Sequence, residues 1–346
     1  NIQISTYIVD FRILNIITKY KIAKIIKNVY HTNFIKQHQH TILDNDTQNN
    51  NRLIIHILQA NSYAYHAIKA INLLNRTQYS LKIILSIWGS DVLLLPKKNK
   101  FFYNLVKNNL IKSDAVITQS LFINYAISNI IFPKTPEINN KLHYLHYGIN
   151  NILHNTYYPI LAKQNIIFSN RLHKKLYNID KIILAFNNLI KQESYTDYKL
   201  VIAASGNETQ SLMQLVDNLS LNKQVSFVGM LDHAELLEYY KISKIFISIP
   251  SSDAVAVSLL EAMSYSNFPI VSNLPANLEL IIDNFNGYIC NSLNPTILST
   301  LMQRAIEIVD DEVLYSKIAK TNFDIIYNKY NATTNFVRLI NDVYNK

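Results

Sequence analysis

The sequence predicts an α/β protein with two domains, on three observations. Between residues 245 and 290 a short apolar run rich in β-formers, a helical segment and another apolar run follow one another. This strand–helix–strand order implies a parallel sheet that binds its ligand at the carboxyl ends of the strands. A length of 346 residues allows two domains, and 49% hydrophobic with 16% charged residues is typical of a chain that forms cores.

The helix of this unit is predicted from about residue 255 to 265. Ser251, Ser252 and Asp253 precede it and carry side chains that cap helix N-termini. The unit has three further predicted elements, namely a strand at 245–249 that Pro250 ends, a strand at 268–271 and a turn at 286–287.

Glu261 lies in the middle of this predicted helix. Leu259, Leu260, Ala262 and Met263 surround the helix axis, so the carboxylate is expected to be buried. A buried carboxylate is costly unless it is paired or hydrogen-bonded. It either pairs with a nearby loop for structural reasons or binds hydroxyl groups of a ligand. The helix N-terminus suits a diphosphate, and a hydroxyl-rich group attached to that diphosphate would then lie near Glu261.

Asp253 and Glu261 form a D-x7-E version of an E-x7-E motif. Further parts of the same pattern follow in order, as Glu261-Ala262-Met263, Pro269-Ile270-Val271, Glu279 and Asn286-Gly287. On these residues the chain resembles the retaining glycosyltransferases of the GT-B fold, glycosyltransferase family 4. The resemblance implies two Rossmann-like domains with a nucleotide cleft between them. It also implies hexosyl transfer from a sugar nucleotide with retention, with no required metal and no cofactor.

The resemblance assigns roles to both acids of the motif. In the family the second acid binds the ribose hydroxyls, and the first acid and the loop after it contact the sugar and the phosphates. Glu261 would therefore bind the ribose, and Asp253 would act as a shorter first acid. The loop replaces the family's Gly-Phe-Gly, and its expected donor contacts are Ala254, Val255, Ala256, Val257 and Ser258.

Arg171 stands where the family has the arginine that grips the diphosphate, within Asn170-Arg171-Leu172 instead of Gly-Arg-Leu. A guanidinium suits this task because its planar fork bonds two oxygens while it neutralises charge. The family's next lysine falls at Tyr177. Lys174 or Lys175 is expected to replace that lysine from the same loop, and a solvated loop is the alternative.

Other parts of the second domain also follow the family pattern. The chain has only five glycines, and two of them, Gly206 and Gly229, fall on turns that lie beside the donor in the family. Gly206, Gly229 and Asn170 are therefore also expected to contact the donor, in addition to Lys174 and the loop at 254–258. The remaining elements of this domain are predicted as strands at 166–169, 199–204 and 225–228 and helices at 232–240, 294–309 and 311–320.

The first domain is predicted to contain strands at 53–58, 81–87 and 115–119 and a helix at 62–74. Trp88, Gly89, Ser90 and Asp91 resemble the H/W-G-S-D segment of the family, which lies on the acceptor side. Trp88 replaces the histidine of some members, which excludes a side-chain proton role there. For Asp91 the alternative is a cap of the next helix.

The domain boundary is predicted near residue 160. Tyr147-Gly148-Ile149-Asn150 resembles the family's N-G-V-D at the domain junction, and a polar linker follows it. The prediction is an acceptor-side domain at 1–160, a donor-binding domain at 161–330 and a helix at 331–346 that crosses back to the first domain.

The chain begins with Asn1, and the family's opening strand and glycine-rich turn are not visible, so an N-terminally incomplete chain is expected. A helix with a basic face is predicted at 8–30, followed by a flexible polar insertion at 31–51. The basic face is either a solvated surface or one that meets anionic lipid.

A net charge of +9 and a pI of about 9.2 favour acidic partners. These are sugar nucleotides, anionic lipid or nucleic acid, and no signature of a nucleic-acid-binding module is present. The single cysteine, Cys290, excludes an internal disulfide and fits a reducing compartment. No apolar run reaches about 18 residues and no signal peptide is visible, so the prediction is a cytoplasmic protein, peripheral on the inner face of the membrane.

The predicted function is transfer of a sugar to a glycan or lipid-linked acceptor in envelope polysaccharide synthesis. The alternative is a catalytically inactive GT-B protein that binds another transferase, since Trp88, Asn170, Tyr177 and Asp253 all depart from the family pattern. A sugar-nucleotide epimerase on the same fold is a third possibility, for which the sequence shows no arrangement of histidine and carboxylate.

Overall fold

The computed structural model describes residues 52–71, 80–150 and 159–344, which form two compact units. The first unit holds the described residues up to Ile117 together with Ala126–His143, and the second holds Thr118–Tyr125 and the described residues from Tyr144 onwards. The predicted domain limits, and the helix that crosses back to the first domain, stay predictions. The helix predicted at 8–30, the insertion at 31–51 and most of the linker before residue 160 lie outside the described residues.

The first unit is built around a four-stranded sheet in the order β1-β2-β3-β4. Its strands are β1 (Arg52–Leu58), β2 (Ser80–Ile87), β3 (Ala115–Thr118) and β4 (Leu142–Tyr144). Its helices are α1 (Ser62–Ile71), α2 (Ser90–Leu93), α3 (Leu95–Lys98) and α4 (Lys100–Lys112). A π-helical turn at Ala126–Ile131 and a 3-10 turn at Pro136–Lys141 complete it. The three strands predicted for this domain are confirmed, and β1 and β2 are parallel and in continuous register.

The second unit contains a six-stranded sheet in the order β10-β9-β8-β5-β6-β7, in which every neighbouring pair is parallel. The strands are β5 (Gln164–Ser169), β6 (Lys199–Ala203), β7 (Val225–Gly229), β8 (Ser243–Ser248), β9 (Phe268–Ser272) and β10 (Tyr288–Cys290). Parallel sheets covered on both faces have nearly continuous apolar strands, and the buried run 245–249 is an example.

Helices cover both faces of this sheet. The helices of the second unit are α5 (Leu121–Tyr125), α6 (Ile179–Leu189), α7 (Thr209–Asn218), α8 (His233–Ile242), α9 (Val257–Ser264), α10 (Pro275–Leu278), α11 (Pro295–Asp310), α12 (Glu312–Lys329) and α13 (Ala332–Leu339). One apolar core joins the sheet to α6, α7 and α11, and the other joins it to α8 and α9. Helix α12 contributes to both, with Tyr315 and Ile318 in the first core and Ile326 in the second. Alternate strand residues serve the two cores: Ile245 and Ile247 face the first, and Phe246 faces the second.

Most predicted helices of the second unit are confirmed, with shifted ends. The helix predicted at 311–320 continues to Lys329. The helix predicted at 331–346 begins at Ala332 and ends at Leu339, where a π-helical turn follows. Within the described ranges, no helix has both the length and the apolar character needed to span a bilayer.

The segment around Gly148 pairs with the end of α12. The N–H of Ile149 donates to the carbonyl of Tyr330 at 2.8 Å, and the N–H of Ala332 donates to the carbonyl of Ile149 at 3.2 Å. Gly148 has φ +74°, and a Cβ added there would lie 2.2 Å from the Tyr330 carbonyl oxygen. Glycine is therefore required at this position, and the pairing explains why the segment belongs to the second unit.

Candidate functional site

Glu261 is buried in α9 and paired with a histidine. Its Oε1 lies 2.9 Å from Nε2 of His233, the first residue of α8. The Glu261 side chain is 8% exposed and that of His233 is 57% exposed, so the pair lies at the boundary between core and solvent. The prediction of a buried carboxylate is confirmed. The pairing supplies the partner that a buried carboxylate needs, and the exposed histidine leaves the pair accessible from solvent.

A polar chain continues from Glu261 beneath α9. The buried hydroxyl of Tyr240 donates to Glu261 and accepts from Nδ2 of Asn170 at 2.8 Å. Burial raises the pKa of Tyr240, and the Glu261 carboxylate raises it further, so the phenol stays neutral. The Asn170 Oδ1 is buried and has no hydrogen-bond partner among the described residues. Asn170 therefore has a structural contact in place of the family's glycine, together with one unused acceptor.

Arg171 follows β5 and contacts three side chains. Its Nη2 lies 2.5 Å from Oδ2 of Asp253, its Nη1 donates to Oγ of Ser258 at 3.2 Å, and its guanidinium lies 4.5 Å from the ring centroid of Tyr177. Burial raises the pKa of Asp253, an effect that Arg171 opposes. Because both side chains of the ion pair are largely buried, a bound diphosphate would compete with or join Asp253 for the guanidinium.

The predicted cap of α9 by Ser251, Ser252 or Asp253 is wrong. The helix begins at Val257, and Ala256 at its N-cap makes no side-chain hydrogen bond. Asp253 is used elsewhere, since it pairs with Arg171 and its Oδ1 accepts from the N–H of Ala254 at 2.9 Å. The first turn of α9 therefore has backbone N–H groups that no cap side chain occupies, which suits an anion.

The loop before α9 has both buried and exposed residues. Ala254 and Val255 are buried, Ala256 is partly buried and Val257 is exposed. The apolar side chains of Ala254 and Val255 are thus buried where the family has Gly-Phe-Gly.

Asn178 follows Tyr177 and has the backbone conformation that glycine favours. It has φ 53° and ψ 37°, in the left-handed region that asparagine enters more readily than most residues. Its Nδ2 donates to the carbonyl of Ile249 at 2.7 Å and to Oγ of Ser251 at 3.1 Å. The loop that carries Tyr177 is thereby attached to the loop that precedes α9.

Lys174 and Lys175 are both exposed. They line a cavity of about 300 Å³ between the first turns of α6 and α7, which Asp180 and Glu208 also line. Both lysines follow Arg171 closely in the chain, at three and four residues beyond it. Which of them replaces the displaced lysine stays a prediction.

Gly206 follows β6 and Gly229 ends β7, both at the carboxyl edge of the sheet. A Cβ added at Gly206 would lie 2.4 Å from the carbonyl oxygen of His173, so the backbone approach requires glycine. His173 is buried and Nδ1 lies 2.8 Å from Oγ1 of Thr209, which also accepts from the N–H of Gly206 at 2.9 Å. Gly229 has φ +73° with open space around it, so only its backbone conformation favours glycine.

The segment from Trp88 to Asp91 lies in the first unit. Asp91 is buried, and its carboxylate accepts from the N–H of Ala60 at 2.9 Å and of Trp88 at 3.2 Å. Gly89, with φ 103°, is the N-cap of α2, so Asp91 is in the first helical turn, not at the cap. Burial raises the pKa of Asp91. These contacts give Asp91 a structural task, and Ser90 and the partly exposed Trp88 accompany it at the end of β2.

Sequence reasoning missed His233, Tyr240 and the part that Tyr177 plays. It predicted no arrangement of histidine and carboxylate, and the pair of His233 with Glu261 corrects this. The two residues are 28 positions apart on different helices, and no local pattern joins them. The one available signal was Asp232, which together with Glu235 forms the capping box that fixes the start of α8 at His233.

Comparisons with known proteins agree with the fold. Two parallel sheets covered by helices define an α/β protein of the GT-B class. The family model "Glycosyl transferases group 1" matches residues 159–322, and the model "Glycosyl transferase 4-like" matches residues 47–120. The chain belongs to the group 1 glycosyltransferases of the GT-B fold.

Two curated relatives show the range of similarity. N-acetyl-alpha-D-glucosaminyl L-malate synthase of Bacillus anthracis is 23% identical over 300 residues, which cover 82% of this chain and 72% of the relative. Alpha-monoglucosyldiacylglycerol synthase of Streptococcus pneumoniae is 31% identical over 110 residues, which cover 32% of this chain and 24% of the relative.

Solved structures share the fold at low identity. TarM of S. aureus, solved with UDP, has a TM-score of 0.67 at 15% identity, covering 83% of this chain and 54% of TarM, so the chain spans about half of that protein. Alr3699/HepE of Anabaena, solved with UDP and glucose, has a TM-score of 0.69 at 13% identity and covers 85% and 78%. Sucrose-phosphate synthase of Thermosynechococcus elongatus has a TM-score of 0.73 at 15% identity and covers 98% and 80%.

Proposed function

We propose that this protein transfers a hexose from a UDP-sugar to a glycan or lipid-linked acceptor, with retention at the anomeric carbon. The observation that carries the proposal is that α9 brings together a site for an anion, at its first turn, and a buried carboxylate. Arg171 contacts the first turn of α9 through Ser258, and the buried Glu261 follows one turn later. A nucleoside diphosphate has the matching order of groups, an anion next to a diol. UDP is chosen because TarM and HepE were solved with it.

The site residues have distinct tasks in this proposal. Glu261 accepts from the ribose hydroxyls, and Arg171 with the uncapped first turn of α9 stabilises the diphosphate as it leaves. Lys175 or Lys174 adds a second positive charge. Asp253 holds Arg171 before the donor binds and contacts the sugar afterwards. With these groups on the leaving diphosphate, the acceptor attacks from the same face, and neither a metal ion nor a cofactor is required.

The remaining assignments belong to the same proposal. The donor also contacts Asn170, Gly206, Gly229 and the loop residues Ala254, Val255, Ala256, Val257 and Ser258. The acceptor-side segment is Trp88, Gly89, Ser90 and Asp91. The acceptor belongs to cell-envelope synthesis, a choice guided by the similarity to alpha-monoglucosyldiacylglycerol synthase. The protein acts in the cytoplasm at the inner face of an anionic membrane.

A second candidate is a GT-B protein that binds nucleotide without turnover. The ion pair of Asp253 with Arg171 favours it, because this pair occupies the guanidinium on which transfer depends. An epimerase is the third candidate, supported by His233 beside Glu261.

One set of measurements separates the three. Thermal unfolding with UDP, UMP and a panel of UDP-sugars identifies the donor, and proton NMR of the protein with that donor, first alone and then with an envelope lipid extract, follows the product. Transfer predicts an α-linked product from an α-linked donor only when acceptor is present. A new sugar nucleotide without acceptor would show epimerisation. UDP stabilisation with no product in either case would leave the inactive binding protein.

A further inference from the structure

Positive charge is concentrated in the first unit. Its described residues, 52–71, 80–117 and 126–143, include ten Lys or Arg and three Asp or Glu, a net charge of +7. The described residues of the second unit include 15 Lys or Arg and 18 Asp or Glu, a net charge of −3. Arg171 and Glu261 belong to the second unit. The basic excess is therefore not placed on the unit that carries the candidate donor residues.

Part of this charge forms a continuous exposed surface at the junction of α3 and α4. Every residue from 97 to 101 is exposed, and Phe101 is 67% exposed. This basic–aromatic surface consists of Lys97, Lys98, Asn99, Lys100 and Phe101. No Asp or Glu occurs between residues 92 and 113, which also contain Lys107 and Lys112.

Local structure fixes Phe101 in its exposed position. Oδ1 of Asn99 accepts from the N–H of Phe102 at 3.0 Å and caps α4, so the chain turns there in a defined way. Phe102 is partly buried, with the Nζ of Lys98 6.0 Å from its ring centroid and the Phe101 ring edge-on at 5.3 Å. Phe101 itself is largely exposed and is flanked in the chain by Lys97, Lys98 and Lys100. A rigid cap thus presents an aromatic ring and positive charge together.

The neighbouring acids do not neutralise this surface. Asp91 is buried, and Oδ2 of Asp114 accepts from the N–H of Ile83 at 2.7 Å. Glu137 lies in the 3-10 turn packed against α4 and is exposed. The two exposed carboxylates, Asp114 and Glu137, do not balance the five lysines from Lys97 to Lys112, and the positive excess is complementary to a negatively charged partner.

We propose that the basic–aromatic surface docks on an anionic lipid membrane. Phe101 enters the interfacial region, where aromatic rings are favoured, and the three lysines contact lipid headgroups. A soluble polyanion would use the lysines and leave Phe101 in water, so the aromatic ring favours a membrane. This inference rests on the proposed function only in explaining why the enzyme meets a lipid-linked acceptor; UDP binding tests that function separately.

The first test is co-sedimentation of the full chain with vesicles of phosphatidylcholine containing about a third phosphatidylglycerol. Binding is expected to fade as salt rises and to be absent without phosphatidylglycerol. Each lysine near an anionic surface contributes about fivefold to binding, so changing the three lysines of the surface to Gln lowers the partition coefficient about a hundredfold. The matched control makes the same charge change at three exposed lysines of the second unit, Lys191, Lys199 and Lys223.

The second test reports on Phe101 itself. Cys290 is the chain's single cysteine, it is buried, and burial raises the pKa of its thiol, so a cysteine in Phe101→Cys can be labelled selectively with an environment-sensitive fluorophore. Its emission should shift to the blue on anionic vesicles. The same label in Val313→Cys, at an 83% exposed position of the second unit, should not shift.

Three outcomes would overturn the proposal. One is an equal loss of binding in the surface triple variant and in the control triple. Another is binding without a shift at position 101. A third is a loss confined to Lys19→Gln, Lys24→Gln and Lys27→Gln, which would transfer membrane contact to the helix predicted at 8–30. UDP-induced thermal stabilisation, measured on each variant, should remain as in the unmodified protein.

Discussion

Replacement of Glu261 tests the ribose assignment most directly. Glu261→Ala removes the carboxylate and leaves His233, whose largely exposed ring can turn to water, and the buried Tyr240 hydroxyl, which loses its acceptor. A loss of about 1–3 kcal/mol in folding stability is therefore expected. Glu261→Gln keeps an acceptor for His233 and Tyr240 and removes only the charge. The two variants therefore separate the loss of hydrogen bonding from the loss of the buried negative charge.

The expected magnitude follows from the type of hydrogen bond. A hydrogen bond to a charged group contributes roughly 1.5–3 kcal/mol, and about 1.4 kcal/mol corresponds to a tenfold change in affinity. Glu261→Ala should thus weaken UDP about ten- to 150-fold, and Glu261→Gln by less. The matched control is Glu238→Ala, which removes an exposed carboxylate from α8 that pairs with Lys241. UDP affinity should be unchanged in that control.

Titration calorimetry with UDP and 2′-deoxy-UDP makes the test specific to the diol. In the unmodified protein the deoxy analogue should bind more weakly, and in Glu261→Ala the two ligands should bind equally, because the group that distinguishes them is gone. An unchanged preference for UDP in a folded Glu261→Ala variant refutes the ribose role. Circular dichroism and thermal unfolding establish that the variants are folded.

Three further predictions concern the groups expected to bind the diphosphate and the Tyr177 ring that contacts the Arg171 guanidinium. Arg171→Ala should weaken UDP at least tenfold more than UMP in calorimetry, since only UDP has the second phosphate; equal losses would place the guanidinium elsewhere. One of the single changes Lys174→Ala and Lys175→Ala should lower kcat by about tenfold and leave UMP affinity unchanged, and if neither does, the displaced lysine has no substitute in this loop. Tyr177→Phe should retain activity, because the ring and not the hydroxyl contacts the guanidinium, whereas Tyr177→Leu should raise the KM for donor; equal behaviour of the two variants would contradict an orienting role.

Much of the fold follows from the sequence because its strands are strongly apolar. The runs that become β2, β5, β6 and β8 alternate with helical segments, and a parallel sheet needs that alternation. The apolar residues around Glu261 likewise predicted a buried carboxylate on a helix that follows a strand. These are local properties, which a single stretch of chain specifies.

The contacts within the candidate site did not follow from the sequence. Asp253 was predicted as a cap, but Arg171 competes for the same carboxylate and an ion pair with a largely buried guanidinium is the stronger interaction. His233 meets Glu261 only because α8 and α9 pack together on one face of the sheet. Such partners depend on tertiary packing, which the periodicity of a short stretch of sequence does not reveal.

Asn178 illustrates a wider property of this backbone. Among the described residues, six non-glycine residues adopt positive φ, namely Gln59, Asn178, Ala204, Ser220, Ser266 and Asn284. An ordinary side chain costs roughly 1–2 kcal/mol in the left-handed region, where glycine costs little. At Asn178 hydrogen bonds to Ile249 and Ser251 compensate, but Ala204 has no side-chain polar group with which to do so. The local conformational strain therefore stands uncompensated by side-chain hydrogen bonds at Ala204, whereas at Asn178 a glycine would lose both bonds that hold this loop to the one before α9.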